Sequence, residues 1–458
     1  MQAKLCAIFS LCFALAARAA DIPRPPLPPA IAYPSATIVK ITDTGGTGDG
    51  TTLCTDTIAR AIEQVSAAGG GIVQFPKEVA RQESVYFTGA IRMKSNVTLQ
   101  IDEGVTVRFS TDRALYPLVK TRYECTDVMN YSPLIYAYQC ENIRITGKGT
   151  LDGNGQAWWT WTAGKPAAQA IRPYTNDREG KFPLEQRVFG EKVQGLRPCF
   201  IEPYECKNVL IEGVTIRQSP FWTIHPLYSE SVTIRGVTVF GTGPNTDGCD
   251  PDSCKTVLID KCTFTTGDDC IAIKSGRDGD GIRRNMPCEN LTIRDCVMNG
   301  GHGAVTMGSE TSGGIRHVFA ENCKVDGPDS AIRLKSTRGR GGGIEDVYIR
   351  NMSVTKTLKY AITIDMKYTT APEAPKSETT PIFKNIRIED FICEAAPQAI
   401  YVAGLTESHV EGVSFKNVTI KSGRGAHLEF VDNLTRDNLT LTPKNGEAWD
   451  LKNVTESR

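Results

Sequence analysis

From Asn96 onward the chain repeats one short phrase, a small polar residue followed by alternating apolar positions. It reads Asn96-Val97-Thr98-Leu99, Asn142-Ile143-Arg144-Ile145, Asn208-Val209-Leu210-Ile211, Ser231-Val232-Thr233-Ile234 and Thr256-Val257-Leu258-Ile259. It returns at Asn290, His317, Asp346, Asn385, Gly412 and Asn438. From Asn208 the starts are 23, 25, 34, 27, 29, 39, 27 and 26 residues apart. Period-two alternation is strand geometry. A base period with a variable excess marks a solenoid whose turns carry insertions. The pattern predicts an all-β chain, a single-domain right-handed parallel β-helix over residues 51–458. Ile58, Ile62 and Val65 share one helix face, with Thr55 or Asp56 as N-cap and Gly69-Gly70-Gly71 as the stop. One amphipathic helix ahead of a long β region predicts an N-terminal capping helix over the open end of the solenoid.

Each phrase is followed by a second short strand, and these strands align as well. Cys249, Ile271, Val305, Ile332 and Ile362 take the same inward place. Three residues before each stands a column of Thr246, Asp268, His302 and Asp329. Two before stands a column of Asp247, Asp269, Gly303 and Ser330. One and three after stand Ala272 and Lys274, Thr306 and Gly308, Arg333 and Lys335, all with outward parity. Neighbouring strands lie about 4.8 Å apart, so three acids, a histidine and a cationic pair gather on one face. Two insertions flank that face. One, over 275–289, carries Arg277, Arg283 and Arg284. The other, over 155–198, carries Trp158, Trp159 and Trp161, expected to stack on a sugar or wall off a groove.

Composition narrows the setting. Fifty-two basic and 52 acidic side chains give zero formal charge, which argues against bulk attraction to nucleic acid or membranes. Lys4, the apolar run Leu5–Ala16 and Ala17-Arg18-Ala19 read as a secretory signal over 1–19, ahead of a Pro-rich lead over 20–50. The run is too short to span a bilayer, so a protein secreted or periplasmic, and monomeric, is expected. Of 15 cysteines, Cys6 and Cys12 fall in the signal. Cys262, Cys296, Cys323 and Cys393 recur at similar places in successive repeats and read as stacked buried thiols. Cys249/Cys254 and Cys199/Cys206 are the candidates for bridges, and no spacing makes a metal site.

Taken singly, each polar motif has an ordinary structural account. Asn245-Thr246-Asp247-Gly248 suits an Asx-turn, Asp268-Asp269 a solvated loop or part of a calcium site, and Arg333 with Lys335 a solvated strand face. Their convergence on one patch is what points to chemistry, because clustered carboxylates are the equipment of glycoside hydrolysis. Together with Gly301-His302-Gly303 and Arg333-Leu334-Lys335, these motifs resemble the four signatures of glycoside hydrolase family 28, the polygalacturonases. The usual Arg-Ile-Lys is here Arg-Leu-Lys, with Leu334 inward by parity. The resemblance implies secreted, cofactor-free β-helical enzymes that hydrolyse the α-1,4 bonds of galacturonan, the backbone of pectin, with inversion.

By the same resemblance Asp268 is the general acid, kept protonated by neighbouring carboxylates. Asp247 and Asp269 activate water across a gap of roughly 6.5–9.5 Å. His302 tunes Asp268, and Asn245 orients a carboxylate or a sugar hydroxyl. Arg333 and Lys335 grip a galacturonate carboxylate, and Tyr368 contacts substrate. The two insertions resemble those of exo-acting members. A rhamnogalacturonan hydrolase is disfavoured because such relatives lack the Gly-His-Gly and Arg-x-Lys sites. A β-helix that only adheres to polysaccharide would need a groove, but not three acids with a cationic clamp.

Overall fold

A computed structural model describes residues 23–31, 37–78, 82–162, 166–368 and 379–457 of the chain. The stretch read as a signal lies outside the described residues. The alternating segments form strands of one continuous parallel sheet of 25 strands, which with the connections makes a right-handed parallel β-helix. The register is the one the repeated phrase dictates. Ile143 pairs with Val209, and the same column runs through Val232, Val257, Leu291, Val318, Val347, Ile386 and Val413. All nine are buried in the core, so every coil adds its apolar face to that of the next. Strand pairing begins at Ile38–Lys40 against Gly71–Phe75, inside the stretch expected as the Pro-rich lead.

The small polar residue that opens each phrase has a backbone reason. Asn96, Asn142, Asn208, Ser231, Thr256, Asn290, His317, Asp346, Asn385, Gly412 and Asn438 all have positive φ, between 52° and 69°. The chain turns a corner there through the left-handed region, which Asn, Asp and Gly enter at least cost. Asn side chains also ladder along the axis: Asn142 Nδ2 donates to Asn96 Oδ1 at 2.9 Å, and Asn208 Nδ2 to Asn142 Oδ1 at 2.9 Å. The ladder lapses at Ser231 and Thr256, which cannot reach a neighbouring rung in this way.

Helix α1 (Thr55–Ala67) buries Ile58, Ala61, Ile62 and Val65 over the first coil. Its N-cap is Cys54, with no side-chain bond, rather than Thr55 or Asp56. Thr55 is diverted, its Oγ1 accepting from the Gly89 amide at 2.7 Å. The helix stops at Gly69-Gly70-Gly71, all at positive φ.

The thirteen described cysteines are buried free thiols, Cys199, Cys206, Cys249 and Cys254 among them, so neither expected bridge is present. Cys262, Cys296 and Cys323 do stack on successive rungs, as the pairing of Thr263 with Val297 and of Val297 with Lys324 requires. Cys393 departs from that column. It pairs with Val354, two places further along the strand, and the residue stacked above Cys323 is Met352.

Candidate active site

The second strands of the coils form their own face. Ile201, Ile224, Cys249, Ile271, Val305, Ile332, Ile362 and Ile400 make one inward column. That register puts Asp247 beside Asp269 on adjacent rungs, with Gly303 and Ser330 following, and Asp268 beside His302. Asp247 leads the short strand at Cys249, and Asp268 and Asp269 lead Ile271–Ile273. Reactive groups therefore sit where rigid strands begin, on backbone fixed by parallel pairing on both sides.

Asp268 is half-buried at the centre. His302 Nδ1 lies 2.9 Å from its Oδ1, and Asn245 Nδ2 donates to Oδ2 at 3.5 Å. The bond to Asp268 raises the imidazole pKa of His302, which stays half exposed. Asn245 is itself held by Arg197, whose Nη2 donates to Asn245 Oδ1 at 2.7 Å.

Asp269 is buried between cations: Arg333 Nη1 is 3.1 Å from Oδ1, and Lys335 Nζ is 2.9 Å from Oδ2. Burial alone would push its carboxyl up, but Lys335, Arg333 and Lys274 outweigh it and hold the group well below the usual carboxylate range. Gly303 makes this approach possible, since a Cβ there would stand 2.9 Å from Asp269 Oδ1 and 3.2 Å from Arg333 Cδ. Tyr368 completes the patch, its ring centroid 5.6 Å from the Arg333 guanidinium and 5.3 Å from Lys335 Nζ. Parity puts Arg333 and Lys335 outside the core. Both are nevertheless largely buried, paired with Asp269 in the groove.

Asp247 is fully buried. Burial, then Asp250 and Asp268, push its carboxyl well above the usual range. Asp250, three residues on, is raised to about 7 by burial. Neighbouring buried acids disfavour each other's ionisation. Lys274 compensates: its Nζ lies 3.8 Å from Asp247, 3.4 Å from Asp250 and 3.6 Å from Glu310, and 4.3 Å from the Trp222 ring centroid. Burial opposes the charge on Lys274, but Glu310, Asp250 and Asp247 overcome it. Glu310 is held at about 2, with Lys274 and Arg277 overcoming its burial. Burial beside other carboxylates, the arrangement expected to keep Asp268 protonated, is found at Asp247.

All eight residues singled out in the sequence meet on this face. Ligand oxygens of Asp247, Asp268 and Asp269 lie within 4.8 Å of one another, closer than the expected wide gap, since adjacent rungs fix their separation. Asp250, Glu310, Trp222 and Arg197 belong to the site but were not anticipated. Asp250 stands one place after Cys249, in the column of Ala272 and Arg333, so the same register arithmetic reaches it. Arg197 comes from an aperiodic insertion and leaves no such signal.

In both insertions the prominent side chains are engaged by the protein itself. Trp158 and Trp161 are buried in the core, edge-on to Tyr116 and Tyr131, and Trp159 Nε1 bonds the Ser219 carbonyl at 2.9 Å. They fasten the segment to the solenoid and offer no sugar platform. That segment forms α2 (Gln156–Trp159) and α3 (Pro166–Thr175), and the 275–289 insertion forms α4 (Asp278–Arg284), which packs against α3. Its arginines are spoken for: Arg277 pairs with Glu124 at 2.9 Å, Arg284 with Asp127 at 3.0 Å, and Arg283 with Asp280. Between α3, α4 and Glu124 lies a cleft of about 400 Å³, lined also by Arg172, Asn176 and Arg277.

Among the described residues, two groups of polar side chains come close enough to bracket a metal ion. In one, His225 Nδ1 already meets Glu202 at 3.1 Å and Cys199 at 3.5 Å, with Arg122 bound to Asp252 at 3.0 Å alongside. The other is the Asp247, Asp268 and Asp269 cluster, whose charge is answered by Arg333, Lys335 and Lys274.

Three comparisons bear on this geometry. Residues 188–439, over half of the chain, match the sequence pattern of Glycosyl hydrolases family 28. The chain is 32% identical to a Vitis vinifera protein named "Probable polygalacturonase", over 83% of this chain and 74% of that protein. It is 27% identical to an exo-poly-alpha-D-galacturonosidase of Dickeya chrysanthemi, over 89% of this chain and 75% of that one. Its fold superimposes on a hyperthermoactive exopolygalacturonase of Thermotoga maritima with a TM-score of 0.83 and 36% identity, covering 92% and 94% of the two chains. With four motifs on one face of a β-helix and a family pattern that runs across all of them, the chain belongs to glycosyl hydrolase family 28.

Proposed function

We propose that this protein hydrolyses α-1,4 bonds of galacturonan, removing units from the non-reducing chain end. The observation that carries the reading is an exposed-edge acid, Asp268, set among buried carboxylates and beside a pair of cations. Neutral glycans have no use for such a pair, whereas a uronate presents a carboxylate that Arg333 and Lys335 can bind.

We assign the steps as follows. Asp268, the carboxyl most open to the groove, protonates the departing glycosidic oxygen, and His302 shares and replenishes that proton through its bond to Oδ1. Asp269, ionised because three cations surround it, accepts a proton from the attacking water. Asp247, coupled to Asp250, orients that water on the side away from Asp268. Arg333 and Lys335 already bind Asp269, so a substrate carboxylate docks by sharing these donors, which ties substrate binding to the state of the base. Tyr368 lines the same position. The family's inversion is retained in this assignment, although the short approach of the carboxylates does not by itself call for it.

Terminal attack is supported by the wall that α3 and α4 build along the groove. Arg187 bridges the two insertions, 3.0 Å from Asp280 and 3.2 Å from Asp177. Insertions held in place by buried ion pairs favour a groove bounded at one side, and the cleft beside Arg277 and Arg172 suits a chain end. Export fits the sequence of residues 1–19, and no helix of the described residues is long and apolar enough to cross a membrane.

Time-resolved products test the mode. Early mono- or digalacturonate with slow loss of viscosity is expected from polygalacturonate. A rapid fall in viscosity with mixed long oligomers contradicts the terminal mode.

A further inference from the structure

The active-site face does not end at the clamp. Its register continues from Arg333 to Thr363, Tyr401 and His427, and in the neighbouring column from Ser330 to Tyr360, Gln398 and Arg424. The rings on these rungs form an unbroken row. Tyr360 and Tyr401 have centroids 5.4 Å apart, and Tyr401 and His427 are stacked at 5.6 Å with 19° between planes. All three rings are half-buried, with Arg424 exposed beside them. They line an open cleft of about 520 Å³. One rung adds about 4.8 Å, so Tyr401 lies about 10 Å beyond Arg333 along the axis.

We propose that Tyr360, Tyr401, His427 and Arg424 form a binding platform for the remainder of the polysaccharide chain, the part that stays beyond the bond being cut. This rests on the galacturonan reading above. If the chain end is held at the walled side, the rest of the polymer must leave over the open side, and these rungs are what it meets. Packed against one another along the axis, the rings leave their edges and the two Tyr hydroxyls to the cleft, an amphipathic strip that suits the mixed apolar and hydroxyl surface of successive sugars. Arg424 supplies a cation for a carboxylate. Asp450, 2.7 Å from His427 Nδ1, and Glu447 give acceptors for sugar hydroxyls. Both sites share one straight face, so no bend or domain movement is needed to engage them together.

An alternative is that the rings merely form a cross-strand ladder that steadies the last coils. Chain length separates the two. In Tyr401→Ala, KM for long polygalacturonate should rise roughly 3–10-fold, with kcat held and with KM for trigalacturonate unchanged, because a trimer ends before the platform. Tyr401→Phe keeps the ring and should keep the wild-type KM. Equal KM changes on polymer and trimer, or no change on either, overturn the platform. A fall in melting temperature with unchanged KM assigns the row to stability alone and overturns it as well. Affinity electrophoresis of both variants in gels containing polygalacturonate reads binding without turnover. If wild type hydrolyses neither substrate, the proposed function fails, while retention lost in Tyr401→Ala still upholds the platform and equal retention still rejects it.

Discussion

Asp268 and Asp269 are consecutive residues with opposite surroundings, and the difference follows from side-chain direction. Asp268 turns toward the groove and His302, whereas Asp269 turns under Arg333 and Lys335. Asp268→Asn preserves size while removing the proton, so kcat should fall about 10²–10⁴-fold with an unchanged melting temperature; near wild-type kcat would remove Asp268 from the mechanism. Lys335→Met tests the other acid. It leaves Asp269 buried with one partner fewer, and losing half of a buried pair costs about 3 kcal/mol. The folded pKa of Asp269 is depressed, so its contribution is present above the ordinary carboxyl value of about 3.9 and is lost as pH falls toward the depressed one. The stability gap between wild type and Lys335→Met should therefore be full at neutral pH and shrink below about pH 4. A gap independent of pH would mean that the pair is not what Lys335 stabilises. Asp247, Asp268, Asp269, His302, Arg333 and Lys335 were visible as motifs, but their burial was not. Parity puts Lys335 outside the core, and only the depth of the groove shows that outside can still be dry.

At the scale of one coil, the corner residue decides how easily the chain turns. Thr256 occupies a corner at φ 59° that Asn holds in most other coils. A β-branched residue in the left-handed region is strained by roughly 1–2 kcal/mol, and Asn tolerates it better. Thr256→Asn should raise stability by about 1 kcal/mol, seen as a higher midpoint in thermal unfolding with unchanged activity; a lower midpoint would show that Thr256 has contacts that outweigh its backbone. The coils were legible because the phrase both alternates and returns. The caps and fillers were less so. Cys393 sits two places out of the thiol column because spacing from the previous repeat, lengthened to 39 residues before Asn385, does not reveal where the extra residues enter. Cys54 replaces Thr55 as the cap of α1 because Thr55 is claimed by a distant amide that no local pattern shows.

For the whole molecule, periodicity fixes a straight face, and the aperiodic insertions decide what that face can accept. The register of the face was readable in advance, including the adjacency of Asp247 with Asp269 and of Asp268 with His302. The insertions were not: Trp158 and Trp161, prominent in a polar segment, anchor that segment in the core, and the arginines of 275–289 neutralise acids nearby. The chemistry of the site thus rests on the rungs and the proposed direction of attack on the wall. The stereochemistry of the product joins both. Proton NMR of polygalacturonate during the first minutes of hydrolysis resolves the anomers of the released galacturonate before they equilibrate. Water activated opposite Asp268 must give the β-anomer of a terminal unit first. Early α-anomer would mean that one of the closely spaced carboxylates acts as a nucleophile, and would contradict the assignment of Asp247 and Asp269.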